Sequence, residues 1–363
     1  MGLVSTISSA LIAFNLIPHC GVIDRTPLKI QNVYIVSKQD HEQRADLKPE
    51  FAVRDEVVKL YAVVEAINKG RKMYITEADD IKLKGRIPGS KIRKPVAKDC
   101  ITIDWSKVEA DSKGEAYDNN NQTGNSVGIP YVNTNWKKGW VVTADVHPTT
   151  LDDQFDKSVS GLGTMRYKID VLHSQVKYST PGAKELTILE SKLGKNIVAR
   201  KRAEPKLAKV VYRNNEGNPT DFAFELFNTP YIWGSRQFDA DQQIGSDCAD
   251  LVVYARRRDG RVNGHRGRKQ KYTWSTGLLS YTNSIVNVSS RSGKHFKDKN
   301  GNKIPWGKVK AGDIIYVPGH VGILYKDDGD GYFGRNDFWI DTIFREPRVN
   351  TIGHGGDVRR WRK

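Results

Sequence analysis

The chain has 363 residues and is basic, with 58 lysines and arginines against 42 aspartates and glutamates and a formal net charge of +16 at pH 7. This length predicts two or three domains, and the charge predicts an anionic partner such as nucleic acid, a membrane surface or an acidic cell-wall polymer. Three cysteines are too few for a disulfide framework or a cysteine-rich zinc site. Because no helix-turn-helix or aromatic-glycine RNA-binding motif is recognisable, nucleic acid is not the expected partner.

Residues 1–25 are interpreted as a possible leader or N-terminal segment. Leu3 to Ile17 form a moderately apolar run that is too short and too polar for a membrane span. The basic start and the small-residue cleavage pattern of an export signal are missing. Two interpretations stay open, an atypical export signal or an element that packs on the first domain.

Residues 26–213 are predicted to form a β-rich accessory region, a sandwich or barrel of one or more domains. Short β-like runs occur at 33–36, 57–67, 73–75, 101–105, 140–146, 165–172, 186–189 and 209–212. Residues 199–213 are rich in lysine and arginine and are predicted to be an exposed linker. Three tryptophans of the region either line a ligand groove or pack in the core, namely Trp105, Trp136 and Trp140.

Residues 214–363 are predicted to form a catalytic domain, and within it a helix is predicted to start at Cys248. Cys248, Leu251, Val252 and Ala255 are spaced as one buried helical stripe. The preceding Ser-Asp pair supplies an N-cap. A thiol at this position feels the positive end of the helix dipole, which favours a nucleophilic thiolate near neutral pH. The alternative is a buried structural cysteine.

A β hairpin is predicted at 309–324, with a Pro318-Gly319 turn and a second strand that begins at His320. His320, Gly322 and Leu324 share one face of that strand, because side chains alternate. A histidine beside a glycine in an apolar strand is typical of a side chain placed for chemistry.

Three motifs together resemble the NlpC/P60 family of cysteine peptidases. They are a Pro-Tyr-x-Trp-Gly segment at 230–234, an Asp-Cys helix start at 247–248, and a Gly-Asp…Gly-His-Val-Gly hairpin at 312–322. The resemblance covers about residues 220–347. It implies a papain-like α+β core, a Cys-His-polar triad and cleavage of peptide bonds in bacterial cell-wall peptides.

The same resemblance implies substrate contacts and also shows two departures. Tyr231 and Asp247 would hold the free amino end of the substrate peptide, or else serve as a packed aromatic ring and a helix cap. The family has Ser-Gly after the nucleophile, whereas Ala249 and Asp250 follow here. The histidine that is usual as the third triad member is absent.

The third triad member is predicted from the register of the next hairpin. A turn at 330–331 places His320 opposite Asp341, and a turn at 328–329 places it opposite Asp337. Asp341 is favoured because it lies in the better strand, and its carboxylate would orient the imidazole. The aspartates of the turn itself are interpreted as turn caps rather than a calcium loop.

The predicted mechanism is thiol acyl transfer without metal or cofactor. Cys248 attacks a peptide carbonyl, His320 transfers the proton, Asp341 orients His320, and amides at the helix start stabilise the oxyanion. An amidase or acyltransferase would use the same residues, and a non-catalytic cell-wall-binding protein is a further alternative. The expected partners are peptidoglycan peptides and, through basic surface such as residues 256–271, anionic wall polymers; no nucleic acid or membrane span is expected. The protein is expected to be exported and associated with the cell wall, in the periplasm or outside the cell.

Overall fold

The computed structural model describes residues 28–111, 131–154, 161–186, 207–289, 293–343, 345–353 and 355–362. The predicted leader at 1–25 lies outside these residues. Among the residues described, no helix combines the length and the apolar character needed to cross a membrane.

The N-terminal part consists mainly of strands. In chain order they are β1 (Lys29–Gln39), β2 (Ala45–Asp46), β3 (Glu50–Val53), β4 (Val58–Asn68), β5 (Arg71–Ile75), β6 (Ile81–Lys82), β7 (Ile92–Arg93), β8 (Ile101–Ala110), β9 (Tyr131–Lys138), β10 (Val141–Thr143), β11 (Gly163–His173), β12 (Val176–Ser179) and β13 (Ala208–Arg213). The first sheet has the order β6-β2-β1-β4-β5-β7, and β10 pairs with β4. The second sheet has the order β3-β13-β11-β8-β9, and β12 pairs with β11.

One apolar core is shared by these two sheets. Ile35 and Leu60 contribute to it from the first sheet, and Trp105, Tyr167 and Val210 contribute from the second. Buried residues alternate with more exposed ones from Tyr167 to Leu172 of β11, as expected for a strand with one buried face, whereas residues 163–167 are all buried. The burial of Trp105 assigns it to this core.

The predicted linker at 199–213 is corrected in its last part. Residues 208–213 form β13, which pairs antiparallel with β11 and parallel with β3. Val210 and Tyr212 are buried in the shared core, and the ammonium group of Lys209 donates to the carbonyl of Gln242 at 2.7 Å. Alternating apolar residues therefore determine the structure here, despite the basic composition.

The C-terminal part combines one antiparallel sheet with short helices. Its elements are α1 (Pro219–Phe224), α2 (Gln237–Asp241), α3 (Cys248–Val262), β14 (Thr282–Asn287), β15 (Ile314–Val317), β16 (His320–Lys326), β17 (Phe338–Asp341), β18 (Arg348–Thr351) and β19 (Asp357–Trp361). The sheet order is β14-β19-β15-β16-β17-β18. Val252 of α3 packs in one cluster with Val321, Ile323 and Ile340 of the sheet.

The predicted papain-like α+β fold is wrong. The protein is β-rich, with 42% strand in several sheets and 17% helix. The residues that the structure describes contain no helical domain of the papain-like kind. Among the described helices only α3 is long, with 15 residues, whereas α1 and α2 have six and five. A single amphipathic helix followed by a hairpin is a local pattern, and it does not determine what the remaining chain builds around it.

Buried polar contacts join the second sheet to the segment that precedes α3. The side chain of Asn228 accepts from the amide of Ala110 at 2.8 Å and donates to the carbonyls of Val108 and Thr164. Arg166, which is fully buried, donates to the carbonyl of Gln243 at 2.8 Å. Because buried donors and acceptors are satisfied across the join, the segment leading to Cys248 is held against the second sheet.

The first part of the basic stretch at 256–271 is used for internal ion pairs. Arg256 pairs with Asp259, and Arg258 pairs with the fully buried carboxylate of Glu225 at 2.8 Å. These guanidinium groups are therefore occupied within the protein, and the first turns of the stretch do not form the solvated basic face that its composition predicts.

Arg257 allows a test of the energy of such a pair. Its buried guanidinium lies 3.0 Å from Asp241 and 3.8 Å from the fully buried Asp250. We expect Arg257→Ala to lower the free energy of unfolding by about 3–5 kcal/mol above pH 7, where Asp250 is ionised, because the variant leaves that fully buried carboxylate without its cation. Arg261→Ala is the matched control, since the half-exposed Arg261 pairs with the same Asp241 at 3.3 Å and should contribute only about 0–1 kcal/mol. Equal effects in urea denaturation would contradict this assignment.

Candidate active site

Cys248 is the first residue of α3, directly after the N-cap Asp247. The carboxylate of Asp247 accepts a hydrogen bond from the amide of Asp250 at 2.8 Å, as N-cap aspartates do. The backbone amide of Val321 lies near enough to the sulfur of Cys248 to favour its thiolate form and lower its pKa. Since Val321 follows His320 in β16, the strand that carries the histidine lies against the thiol.

The resting thiol is held in its protonated form. Burial, and after it the charge of Asp247, raise the pKa of Cys248 to about 12. Only 8% of the residue is exposed. The depressed pKa predicted from the helix dipole is therefore wrong, because desolvation outweighs the dipole. A nucleophilic reaction at this sulfur requires a base that takes the proton during attack.

His320, Asp341 and Asn350 form a hydrogen-bonded chain across three neighbouring strands. His320 Nε2 lies 2.8 Å from Asp341 Oδ2, and Asn350 Nδ2 donates to Asp341 Oδ1 at 2.6 Å. A carboxylate only accepts, so this contact places a proton on Nε2 and leaves Nδ1 as the basic nitrogen of a neutral ring. His320 Nδ1 is buried and has no hydrogen-bond partner among the described residues.

The register that brings His320 to Asp341 differs from the predicted one. Asp341 lies directly opposite Gly322, and a bulge follows between Leu324 and Lys326. His320 and Gly322 share a face of β16, so Asp341 reaches His320 diagonally across a position without a side chain. The structure therefore brings His320 and Asp341 together as predicted. Neither turn considered from the sequence, however, places Asp341 opposite Gly322.

Gly322 also accommodates the ring of Trp339. This indole contacts the imidazole of His320 edge-on, with ring centroids 5.3 Å apart and an interplanar angle of 84°. A Cβ at Gly322 would lie 2.5 Å from Trp339 Cε3 and 2.9 Å from the carbonyl oxygen of Ile340. The backbone contact cannot be relieved by a side-chain rotation alone.

We therefore expect Gly322→Ala to lower the free energy of unfolding by about 1–3 kcal/mol, the range of overpacking in a filled core. Gly307→Ala is the matched control, because a Cβ there meets nothing within 4 Å and should change stability by no more than about 0.5 kcal/mol. Urea denaturation of both variants measures the difference, and coincident unfolding curves would show that Gly322 is not packed as described.

Asp337, the alternative partner of His320, serves the loop between β16 and β17. Its carboxylate accepts from the amide of Asp328 at 3.0 Å and from the amide of Gly334 at 2.7 Å. Burial raises the pKa of Asp337 to about 7. Asp337 therefore holds its own loop, and Asp341, not Asp337, contacts the imidazole of His320.

The charge of an acidic cluster in the same loop is partly compensated within the protein. Carboxylate oxygens of three aspartates lie within 4.8 Å of one another, namely Asp327, Asp328 and Asp330. The ammonium group of Lys294 lies 3.2 Å from Asp328 and 2.7 Å from Asp330. Lys294 therefore occupies the position in which a cation would compensate these charges.

Tyr231, predicted to contact substrate, is only 1% exposed. It packs in a hydrophobic cluster with Val108 and Ala110 of β8 and with Tyr131 of β9. The residue thus contributes to the join between the two parts of the protein. A contact of its ring with substrate would require movement out of this cluster, and that role stays a prediction.

Asp247, the second predicted substrate contact, is buried beside the thiol. Its Oδ2 accepts from the hydroxyl of Tyr272 at 2.9 Å, and its amide donates to Ser235 Oγ at 2.8 Å. Burial raises the pKa of Asp247 to about 6. Trp274 is 61% exposed and contacts Tyr272 edge-on, with ring centroids 5.9 Å apart. An exposed aromatic ring therefore packs on the tyrosine that donates to Asp247.

A second buried carboxyl, Asp250, lies one helical turn beyond Asp247. Burial and the neighbouring charge of Asp247 raise the pKa of Asp250 to about 7. Both carboxyls thus hold protons in the folded protein at pH values where an unfolded chain has released them. Below the unfolded pKa this contribution to stability is complete, and it is lost as the pH rises through the folded values.

We expect the parent protein to lose stability between about pH 4 and pH 7, and Asp250→Asn to lose less over that range. Each unit of pKa shift corresponds to about 1.4 kcal/mol. Asp55→Asn is the control, because Asp55 is exposed and its left-handed backbone, with φ at 74°, suits asparagine. Urea denaturation at a series of pH values measures the slope. An unchanged slope in Asp250→Asn would exclude proton uptake at this site.

Asn350, Trp339 and Tyr272 belong to the site, and sequence reasoning missed all three. Asn350 is one of the polar residues of a short strand that follows Asp341, and pairing of that strand with β17 was a signal that could have been used. Trp339 shares the strand with Asp341 and was assigned no role. Tyr272 reaches Asp247 from outside any regular element, and no periodic pattern marks such a contact.

No protein-family model, curated protein or solved structure matches this chain.

Proposed function

We propose that the protein is a cysteine peptidase that hydrolyses peptide bonds in the stem peptides of bacterial peptidoglycan. The observation that carries the proposal is the convergence of Cys248 at a helix start with the chain of His320, Asp341 and Asn350. The amide of Val321 contacts the sulfur, and the unpartnered Nδ1 belongs to the adjacent residue. A nucleophile, a base and a group that orients the base are the parts that acyl transfer requires.

In the proposed reaction, His320 Nδ1 accepts the thiol proton as the sulfur of Cys248 attacks the peptide carbonyl. The bond to the leaving amine breaks when His320 returns that proton to the amine nitrogen. Water then attacks the thioester, again with His320 as the base, and releases the acid and the free thiol. Asp341 accepts from Nε2 throughout and stabilises the imidazolium that forms in each half-reaction.

The oxyanion would form at the start of α3. The carboxylate of Asp247 already accepts from the amide of Asp250, so the amide of Cys248 itself is the donor that remains for the substrate oxygen at this helix start. A backbone amide fixed before the reaction stabilises the developing charge without reorganisation.

The substrate class rests on the resemblance of the three motifs to the NlpC/P60 family, and it is consistent with the charge of the chain. A net charge of +16 favours association with an acidic wall. Cys100 is disulfide-bonded, which is typical of proteins in oxidising compartments such as the periplasm or the cell surface. We therefore place the proposed reaction outside the cytoplasm.

One observation favours a second candidate, a non-catalytic cell-wall-binding protein. Cys248 is buried and its thiol has a raised pKa, as expected of a structural cysteine in an apolar environment. In this alternative the histidine chain would stabilise the sheet only.

Purified peptidoglycan fragments with intact stem peptides separate the two candidates. The parent protein and Cys248→Ser are incubated with the fragments, and the products are identified by mass spectrometry. We expect new amino and carboxyl ends with the parent and none with Cys248→Ser, because serine cannot replace the thiol as leaving group and nucleophile in this setting. Binding of the fragments by both proteins without cleavage by either would support the wall-binding candidate.

A further inference from the structure

A second concave site lies in the β-rich part, on strands that do not contribute to the candidate active site. Its volume is about 530 Å³. The lining comes from β8, β9, β11 and β12 and includes Asp104, Asn135, Trp136, Lys138, Asp170 and Lys177. Cavities of this size accommodate small ligands or a few units of a polymer.

Hydrogen-bond donors and acceptors lie side by side in the lining of this cavity. The ammonium group of Lys138 lies 3.5 Å from Asp104, and that of Lys177 lies 2.9 Å from Asp170. The two lysine side chains are 80% and 59% exposed, so these pairs are accessible to a ligand. The amide group of the exposed Asn135 both donates and accepts.

Trp136 supplies a flat apolar surface beside these polar groups. Its ring packs on Tyr167 with centroids 5.4 Å apart, which anchors the indole on the buried core. The ammonium groups of Lys107 and Lys137 lie 5.2 and 4.4 Å from the indole centroid. A sugar ring that packs on the indole would displace Lys137, which is exposed. The tryptophan is thus held by its neighbours and needs little ordering when a ligand binds.

We propose that this cavity binds a hydroxyl-rich saccharide chain. Sugar hydroxyls both donate and accept hydrogen bonds, so a lining that contains carboxylates and ammonium groups offers partners for both. The apolar face of a sugar ring packs on an indole. A phosphate polymer only accepts, so it would compete for Lys138 and Lys177 and leave the carboxylates of Asp104 and Asp170 without a donor. The lining therefore favours a saccharide over nucleic acid, despite the basic net charge.

The proposal is tested by calorimetric titration of the full chain with three neutral tetrasaccharides, those of N-acetylglucosamine, cellulose and starch, and with single-stranded oligothymidylate. We expect at least one saccharide to bind, with affinity lowered at least about tenfold in Trp136→Ala. Asn135→Ala, which changes an exposed residue, should also weaken binding and keeps the test decisive if Trp136→Ala does not fold. Trp274→Ala is the control for non-specific adhesion to exposed tryptophan.

Three results would overturn the proposal. They are the absence of binding to all three saccharides, saccharide binding that Trp136→Ala and Asn135→Ala leave unchanged, and binding of oligothymidylate alone, which would identify a polyanion surface instead. None of these measurements requires hydrolysis, so the saccharide site and the proposed peptidase are tested separately.

Discussion

Replacement of His320 by alanine is expected to abolish hydrolysis of stem peptides, with a loss in kcat of about 10⁴-fold or more. The reason lies in the resting state of the nucleophile. Burial holds the pKa of the Cys248 thiol at about 12, so little thiolate exists near neutral pH and attack depends on a base beside the sulfur. Among the groups described above, His320 Nδ1 is the buried nitrogen without a partner that can serve as that base.

Alkylation of Cys248 by iodoacetamide measures the same dependence without a substrate. The parent should react faster than His320→Ala near neutral pH, and Cys248→Ser gives the blank. His295→Ala is the matched control, because His295 also contacts an aspartate, with Nε2 2.8 Å from Asp330, but lies in a different hydrogen-bonded group. Equal alkylation rates in the parent and His320→Ala would show that the imidazole does not act on the thiol, and the peptidase proposal would fail.

The sequence predicts single elements well where a periodic pattern is strong. The helix over α3 follows from the spacing of Cys248, Leu251 and Val252, and the strand at β11 follows from alternation between Tyr167 and Val171. The strand at β16 is likewise marked by its apolar run and the preceding Pro-Gly turn. These elements are determined by local burial, which the sequence contains directly.

The arrangement of those elements did not follow from the sequence. The papain-like fold is wrong because one helix and one hairpin do not specify how many sheets the rest of the chain forms. The hairpin register was off by two positions, because the long loop after β16 and the bulge near Lys326 replace a tight turn. The thiol pKa was predicted in the wrong direction, since desolvation depends on tertiary packing around Cys248.

Replacement of Asp341 by asparagine is expected to lower kcat strongly, because Asn350 determines the orientation of the new side-chain amide. In Asp341→Asn, the new side-chain oxygen should accept from Asn350 Nδ2, as Asp341 Oδ1 does at 2.6 Å. The new NH₂ group would then face His320 Nε2, which must accept instead of donate. His320 would carry its proton on Nδ1, the nitrogen that has to receive the thiol proton. The corresponding tautomer change lowers kcat by about 10⁴-fold in a serine protease triad, and we expect a similar loss here.

The double variant Asp341→Asn, Asn350→Asp reverses this orientation and should restore part of the activity. A carboxylate at position 350 accepts from the new NH₂ group, which turns the amide oxygen back toward His320 Nε2 and returns the basic lone pair to Nδ1. Asn350→Asp alone is the control, because it places two carboxylates together and should not raise activity. Measurement of kcat for the four proteins decides the matter. If the double variant is no more active than Asp341→Asn, Asp341 acts through its charge rather than through the tautomer of His320.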